Sequence, residues 1–135
     1  MAGSEEDWDE YFMAEAIRSA DESKNTSPVG ACIVKDKNKI ISTGYNGRSN
    51  DPHAEVMAIQ KVTLSDRRDY KMYVTLFPCD VCANKIIHTK IKEVIYKDEK
   101  NIHYVNSTNW KQKSSPIFNK AGVAYRQYIP KNNEK

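Results

Sequence analysis

The sequence predicts an α/β domain: a mixed five-stranded sheet, covered by helices on both faces, with its last three strands parallel. Three observations predict it. The second half alternates strand, helix, strand, helix, strand, and such units favour parallel pairing. The first half carries two strand-like runs joined by a short polar turn, which favours an antiparallel hairpin. The length, 135 residues, suits one compact domain and is too short for two.

Residues Asp7 to about Glu22 form the first predicted helix. Trp8, Tyr11, Phe12, Ala16, Ile17 and Ala20 recur mostly at steps of three and four, so they share one face. Ser4 and Asp7 are candidate N-caps. Asn25 to Pro28 breaks the pattern. Val29–Lys35 and Lys39–Tyr45 are the first two strands, and Asp36, Lys37 and Asn38 join them. Gly30 inside the first strand implies close backbone approach by a ligand or a neighbour. Cys32, in an apolar run, is expected to be a buried structural thiol.

A turn-rich stretch, Gly44 to Pro52, leads into a helix from His53 to about Val62, with Asp51 and Pro52 suited to its start. Lys71–Phe77 is the third strand and Pro78 ends it. A helix from Cys79 to about Thr89 and a strand from Lys92 to Tyr96 follow. Residues from Asp98 to Lys113 are polar and carry no clear period. Ser115 and Pro116 mark a helix start, Gly122 its stop, and Val123–Tyr128 the last strand. Residues 1–130 are expected to form the single domain and residues 131–135 a charged tail.

The formal net charge of +3 is mild. It permits an anionic small molecule such as a nucleotide, and a nucleic-acid partner is not expected. The lysine-rich end, from Lys111 to Lys135, is as consistent with a solvated surface as with a nucleic-acid contact. The three cysteines do not suggest a disulfide framework. The acidic N-terminus lacks an apolar signal core, and no run approaches the length of a membrane span. A soluble, cytoplasmic protein is expected.

The chemistry concentrates in His53-Ala54-Glu55 and Pro78-Cys79-Asp80-Val81-Cys82. One His and two Cys can hold Zn²⁺ and leave its fourth position open. Cys79 and Cys82, three apart at a helix start, put both sulfurs on one side of the first turn, where the helix dipole favours thiolates. Glu55 is then free to move protons. H-x-E followed by P-C-x-x-C is the signature of zinc-dependent nucleobase deaminases. One geometric condition attaches to it. Positions two apart on a regular helix point about 200° from each other, so His53 and Glu55 can converge only at an irregular or first-turn position. A structural zinc site would normally add a fourth protein ligand. His88 and His103 lack partner spacing and are expected to be surface or core residues.

Nearly the whole chain resembles the deoxycytidylate deaminases of the cytidine deaminase superfamily. The similar segments include Tyr11-Phe12-Met13, Glu22-Ser23-Lys24, Val29 to Val34, Ile40 to Gly47, His53-Ala54-Glu55, Met72 to Cys79, Cys82-Ala83, Ile86-Ile87, Ile91 to Ile95 and Ala121-Gly122-Val123. The resemblance implies the three-layer α/β/α cytidine deaminase-like fold and hydrolysis of dCMP to dUMP for thymidylate synthesis; dCTP is a candidate additional substrate. It also implies a homo-oligomer, hexamer or dimer. By it, His53, Cys79 and Cys82 are zinc ligands and Glu55 is the proton shuttle. Val29, Gly30, Ala31, Asn46 and Ala54 line the nucleoside pocket, and Lys24 and Arg48 are candidates for the 5′-phosphate.

Three features depart from the family pattern. Only Arg48 to Pro52 separates Gly44-Tyr45-Asn46-Gly47 from His53, where many members carry a long insert, often with a second zinc and with dCTP and dTTP control. Met57 stands where Asn is common. Asp51 to Ala58 and Ile87 to Ile91 lean toward tRNA adenosine and related purine deaminases, whereas Phe77 stands where those have Glu. A tRNA or purine deaminase, and a non-catalytic zinc-binding regulator, are the competing expectations.

Overall fold

The computed structural model describes residues 5–49, 52–64, 69–101 and 106–130. Among them the order is α1 (Glu5–Ala20), β1 (Gly30–Lys35), β2 (Lys39–Tyr45), α2 (Ala54–Gln60), β3 (Tyr70–Leu76), α3 (Asp80–Ile87), β4 (Ile91–Asp98), α4 (Trp110–Ala121) and β5 (Ala124–Gln127). The strands form one sheet in the order β2-β1-β3-β4-β5. β1 runs antiparallel to both β2 and β3, while β3, β4 and β5 are mutually parallel. Both expectations for strand direction are met.

Strand alternation divides the core between two faces. On one, Phe12, Met13 and Ala16 of α1 pack on Cys32, Val34, Tyr73 and Ile95. On the other, Ala54 and Ala58 of α2, Ala83 and Ile86 of α3 and Phe118 of α4 pack on Ala31, Ile33, Met72, Val74, Val94 and Tyr96. Between β1 and β2, Asp36 and Lys37 adopt positive φ values of 58° and 98°. The turn is tied down where the Asp36 amide donates to the Asp69 carbonyl at 2.7 Å.

Two glycines set how closely helices approach the sheet. A Cβ on Gly30 would lie 1.9 Å from the Ala16 carbonyl oxygen, so the close neighbour at this position is α1. A Cβ on Gly44 would lie 2.6 Å from both the Ala54 carbonyl oxygen and the Ala58 nitrogen of α2.

Several boundaries differ from the sequence expectations. α1 begins at Glu5, so Asp7 lies inside it rather than capping it. β4 extends to Asp98 because it continues pairing with β3 as far as Leu76. The largest difference is α4, which starts at Trp110 and not at Ser115. Asn109 caps it, its Oδ1 accepting the Gln112 amide at 2.9 Å. Pro116 therefore sits within the helix and deletes one backbone bond. Burial of Phe118 in the core favours the longer helix. Gly122 ends α4 in the left-handed conformation, φ 76°, as expected. Ser4, Asp51, His103 and the tail at 131–135 lie outside the described residues. No helix among those described is long and apolar enough to cross a membrane.

Candidate active site

His53 is the N-cap of α2, with extended backbone angles of φ −75° and ψ 161°. It therefore stands outside the helix while Glu55 occupies the first turn, which lets both side chains face one point. Cys79 is likewise the N-cap of α3, and its Sγ accepts the Cys82 amide at 3.5 Å. The N-terminal ends of two helices thus converge, and both favour negative charge there.

The donor atoms of His53, Cys79 and Cys82 lie within 4.8 Å of one another. His53 Nδ1 is 3.2 Å from Cys82 Sγ and 3.4 Å from Cys79 Sγ. The Cys82 side chain, together with the amides of Cys82 and Val81, holds the Cys79 thiol down to about 5, against the opposing effect of burial. Cys82 is pushed up, by its bond to Cys79 and by burial. Two cysteine sulfurs and an imidazole nitrogen within 4.8 Å of one another form a donor set that suits Zn²⁺, since thiolate and neutral imidazole are the ligating forms.

Glu55 is only 4% exposed. Burial pushes its carboxyl up to about 7, and Cys79 adds to this, while its own backbone amide, His53 and the Cys82 side chain oppose it. A carboxyl poised near neutrality can both accept and return protons.

A cavity of about 70 Å³ opens beside this cluster. Of the residues the sequence singled out, Val29, Asn46, His53, Ala54, Glu55 and Cys79 line it. Asn46 is held firmly: its Oδ1 accepts from Ser23 Oγ at 2.8 Å and from the Val29 amide at 3.0 Å, and its Nδ2 donates to the Ser27 carbonyl at 3.1 Å. Cys82 completes the donor set from behind and is buried. Gly30 and Ala31 do not line the cavity. Gly30 lies under α1 with its amide donating to Thr75 Oγ1 at 3.1 Å, and Ala31 is packed in the core. Lys24 and Arg48 are exposed and do not line it either. Cys32 is fully buried on the α1 face, where burial pushes its thiol up to about 12, in line with a structural role. His88 is exposed at the end of α3.

Three cavity walls escaped the sequence analysis: Leu76, Phe77 and Trp110. In the sequence, Phe77 stands out only through the family resemblance. Trp110 lies in the polar stretch left without an element, and the available signal was a large aromatic in an otherwise polar run, directly after the cap-type residue Asn109.

Residues 6–98 match the family model described as the cytidine and deoxycytidylate deaminase zinc-binding region. The chain belongs to this family. As a family member it is a zinc-dependent deaminase-type hydrolase, and His53, Cys79 and Cys82 are a group that could hold the metal. It is 39% identical to human deoxycytidylate deaminase, covering 93% of this chain and 82% of the relative. That alignment runs over 149 positions, more than the 135 residues of this chain, so the relative carries positions within the matched region that this one lacks. It is also 39% identical to the tRNA-specific adenosine deaminase of Rickettsia bellii, over 70% of this chain and 79% of that one. Among solved structures, RibD of Acinetobacter baumannii superposes with a TM-score of 0.75 at 28% identity, covering 93% of this chain and 36% of RibD. The chain thus spans about a third of that protein's length.

Proposed function

We propose that this deaminase converts dCMP to dUMP, with dCTP as a further substrate, and that the dUMP serves thymidylate synthesis. The observation that carries the reading is a buried Glu55 in the same small cavity as His53 and Cys79, with Cys82 behind them. The choice of a deoxycytidine nucleotide is supported by the likeness to human deoxycytidylate deaminase over nearly the whole chain. Phe77 in the cavity wall supports it too, since a hydrocarbon there replaces the Glu expected of the tRNA-type enzymes.

His53, Cys79 and Cys82 would hold the zinc, which supplies Lewis-acid activation of water. Glu55 accepts a proton from the attacking water, whose oxygen bonds to C4 of cytosine. Glu55 delivers that proton to N3, then carries the second proton to the amino group, which leaves as ammonia. Asn46, locked by Ser23 and the Val29 amide, is oriented to position the substrate. A second cavity, of about 300 Å³, shares Val29 and Leu76 with the first and has Lys97 and Lys100 in its wall. It offers room for the sugar and phosphate, although Asp21 and Asp98 share the wall and Lys97 is paired with Asp98 at 3.2 Å, so its charges balance. We further propose that the protein acts in the cytoplasm as a homo-oligomer, a hexamer or dimer.

The test is loss of cytosine absorbance with dCMP, dCTP, deoxycytidine and CMP. Turnover of dCMP is expected, and zinc-loaded protein that leaves both deoxynucleotides unchanged would overturn the reading. The likeness to the Rickettsia bellii enzyme motivates a parallel assay for inosine in tRNA, in which no product is expected.

A further inference from the structure

Trp110 is the first residue of α4 and a wall of the catalytic cavity. Its position is fixed from several sides. The Trp110 amide donates to the Glu99 carbonyl at 2.8 Å, and Lys100 and Asn109 form a β-bridge. Asn109 caps the helix that Trp110 opens, and Lys111 pairs with Glu99 at 3.5 Å. Lys113 Nζ lies over the indole, 5.2 Å from the ring centre, a cation–π contact that restrains its tilt. The indole is therefore presented by a rigid support.

The cavity has two aromatic walls, and they differ in kind. Phe77 is 1% exposed and makes ring contacts with Tyr96, Phe118 and Tyr125 at 4.8 to 5.7 Å between centroids. It is part of the core. Trp110 is half-buried and packs against the edge of that core, so it borders both the cavity and solvent. Glu55, Phe77 and Trp110 line the same cavity of about 70 Å³, so a planar ring seated at Glu55 is brought close to both aromatic walls. An indole is an effective stacking partner for any nucleobase, because every base has a π-face.

We propose that Trp110 is a substrate-contacting residue whose indole stacks on the nucleobase held beside Glu55. The proposal rests on the deoxycytidine nucleotide reading given above. Trp110 then contributes to substrate binding, and the proton transfers belong to Glu55. Its loss weakens binding more than it slows the bound substrate.

The chain's other tryptophan, Trp8, lies on α1 across the sheet, stacked on Phe12 at 5.5 Å. A W8F variant should keep its activity and leave Trp110 as the sole tryptophan reporter. In W8F combined with E55Q, which slows turnover enough to read binding first, addition of dCMP should change the tryptophan emission saturably. In otherwise wild-type protein, W110A should raise KM for dCMP by roughly tenfold or more, the usual worth of one base–aromatic stack, with a smaller effect on kcat. W110F should recover most of the loss. Saturable dCMP binding by calorimetry with unchanged Trp110 emission overturns the proposal. So does W110A that retains wild-type kcat/KM, or that loses kcat and thermal stability with KM unchanged. In each of these cases dCMP turnover by the wild-type protein leaves the functional reading standing. Wild-type protein that deaminates no cytosine nucleotide overturns that reading, and the proposal with it.

Discussion

Glu55 stands buried in the first turn of α2, beside the cluster of His53, Cys79 and Cys82. The His-x-Glu and Cys-x-x-Cys spacings announced a metal site with a proton-transfer group, because few other roles need those residue types together. The geometric condition, that His53 and Glu55 converge only at an irregular or first-turn position, is met by His53's place as N-cap. E55Q should therefore keep its zinc content, measured by metal analysis, while kcat falls roughly a hundred- to ten-thousandfold, the worth of a positioned general acid–base. Ser23 was legible only as part of the family resemblance. Its hydroxyl bonds Asn46 across 23 residues of sequence, which no local spacing reveals. S23A should loosen Asn46 at a cost of about 1 kcal/mol, read as a several-fold drop in kcat/KM, with thermal stability changed by less than a few degrees.

At the scale of elements, the strands and the helix carrying the cysteines were predictable from short-range pattern, but α4 was not. Its start depends on Asn109 capping Gln112 and on Phe118 reaching the core, and Pro116 gives a misleading local signal. That error hid Trp110. The glycines in β1 and β2 offer an element-level test. G44A would push its Cβ into the backbone of α2, the helix that carries Glu55, whereas G30A would push into α1. Both should lower stability, by about 1–3 kcal/mol or more for such overpacking. In thermal denaturation G30A, whose Cβ meets backbone at 1.9 Å against 2.6 Å for G44A, should lose more stability, yet G44A should lose more activity per folded molecule. Equal specific activity in the two would disprove that distinction.

Across the whole molecule, one polar network joins the helix layer to the sheet. Asp9 of α1 accepts from Tyr73 at 2.5 Å and from two nitrogens of Arg126 at 2.7 and 3.1 Å, and Arg126 also donates to Glu93 at 2.9 Å. Removing one partner of a fully buried pair costs about 3–5 kcal/mol. The Arg126 side chain is 34% exposed, so R126M should cost less, on the order of 2 kcal/mol in urea unfolding. Activity of the folded fraction should persist, because the network lies on the face opposite the cavity. The thiols divide between the same two faces. Zinc-loaded protein should show no fast-reacting thiol toward an aromatic disulfide reagent. Chelation should expose Cys79 and then Cys82, while Cys32, its thiol pushed up to about 12 by burial, should react only on unfolding. Simultaneous reaction of all three would contradict this assignment.

The His53 and Cys79 donors sit 26 residues apart in the chain with all of β3 between them. An ion held by both is a cross-link. By the rule that applies to disulfide loops, closing a segment of that length removes freedom from the unfolded chain worth roughly 3.5 kcal/mol. The described cysteines form no disulfide to do this instead. Zinc bound there would then stabilise the folded chain as well as complete the site, because an ion that binds the folded form preferentially shifts the folding equilibrium toward it.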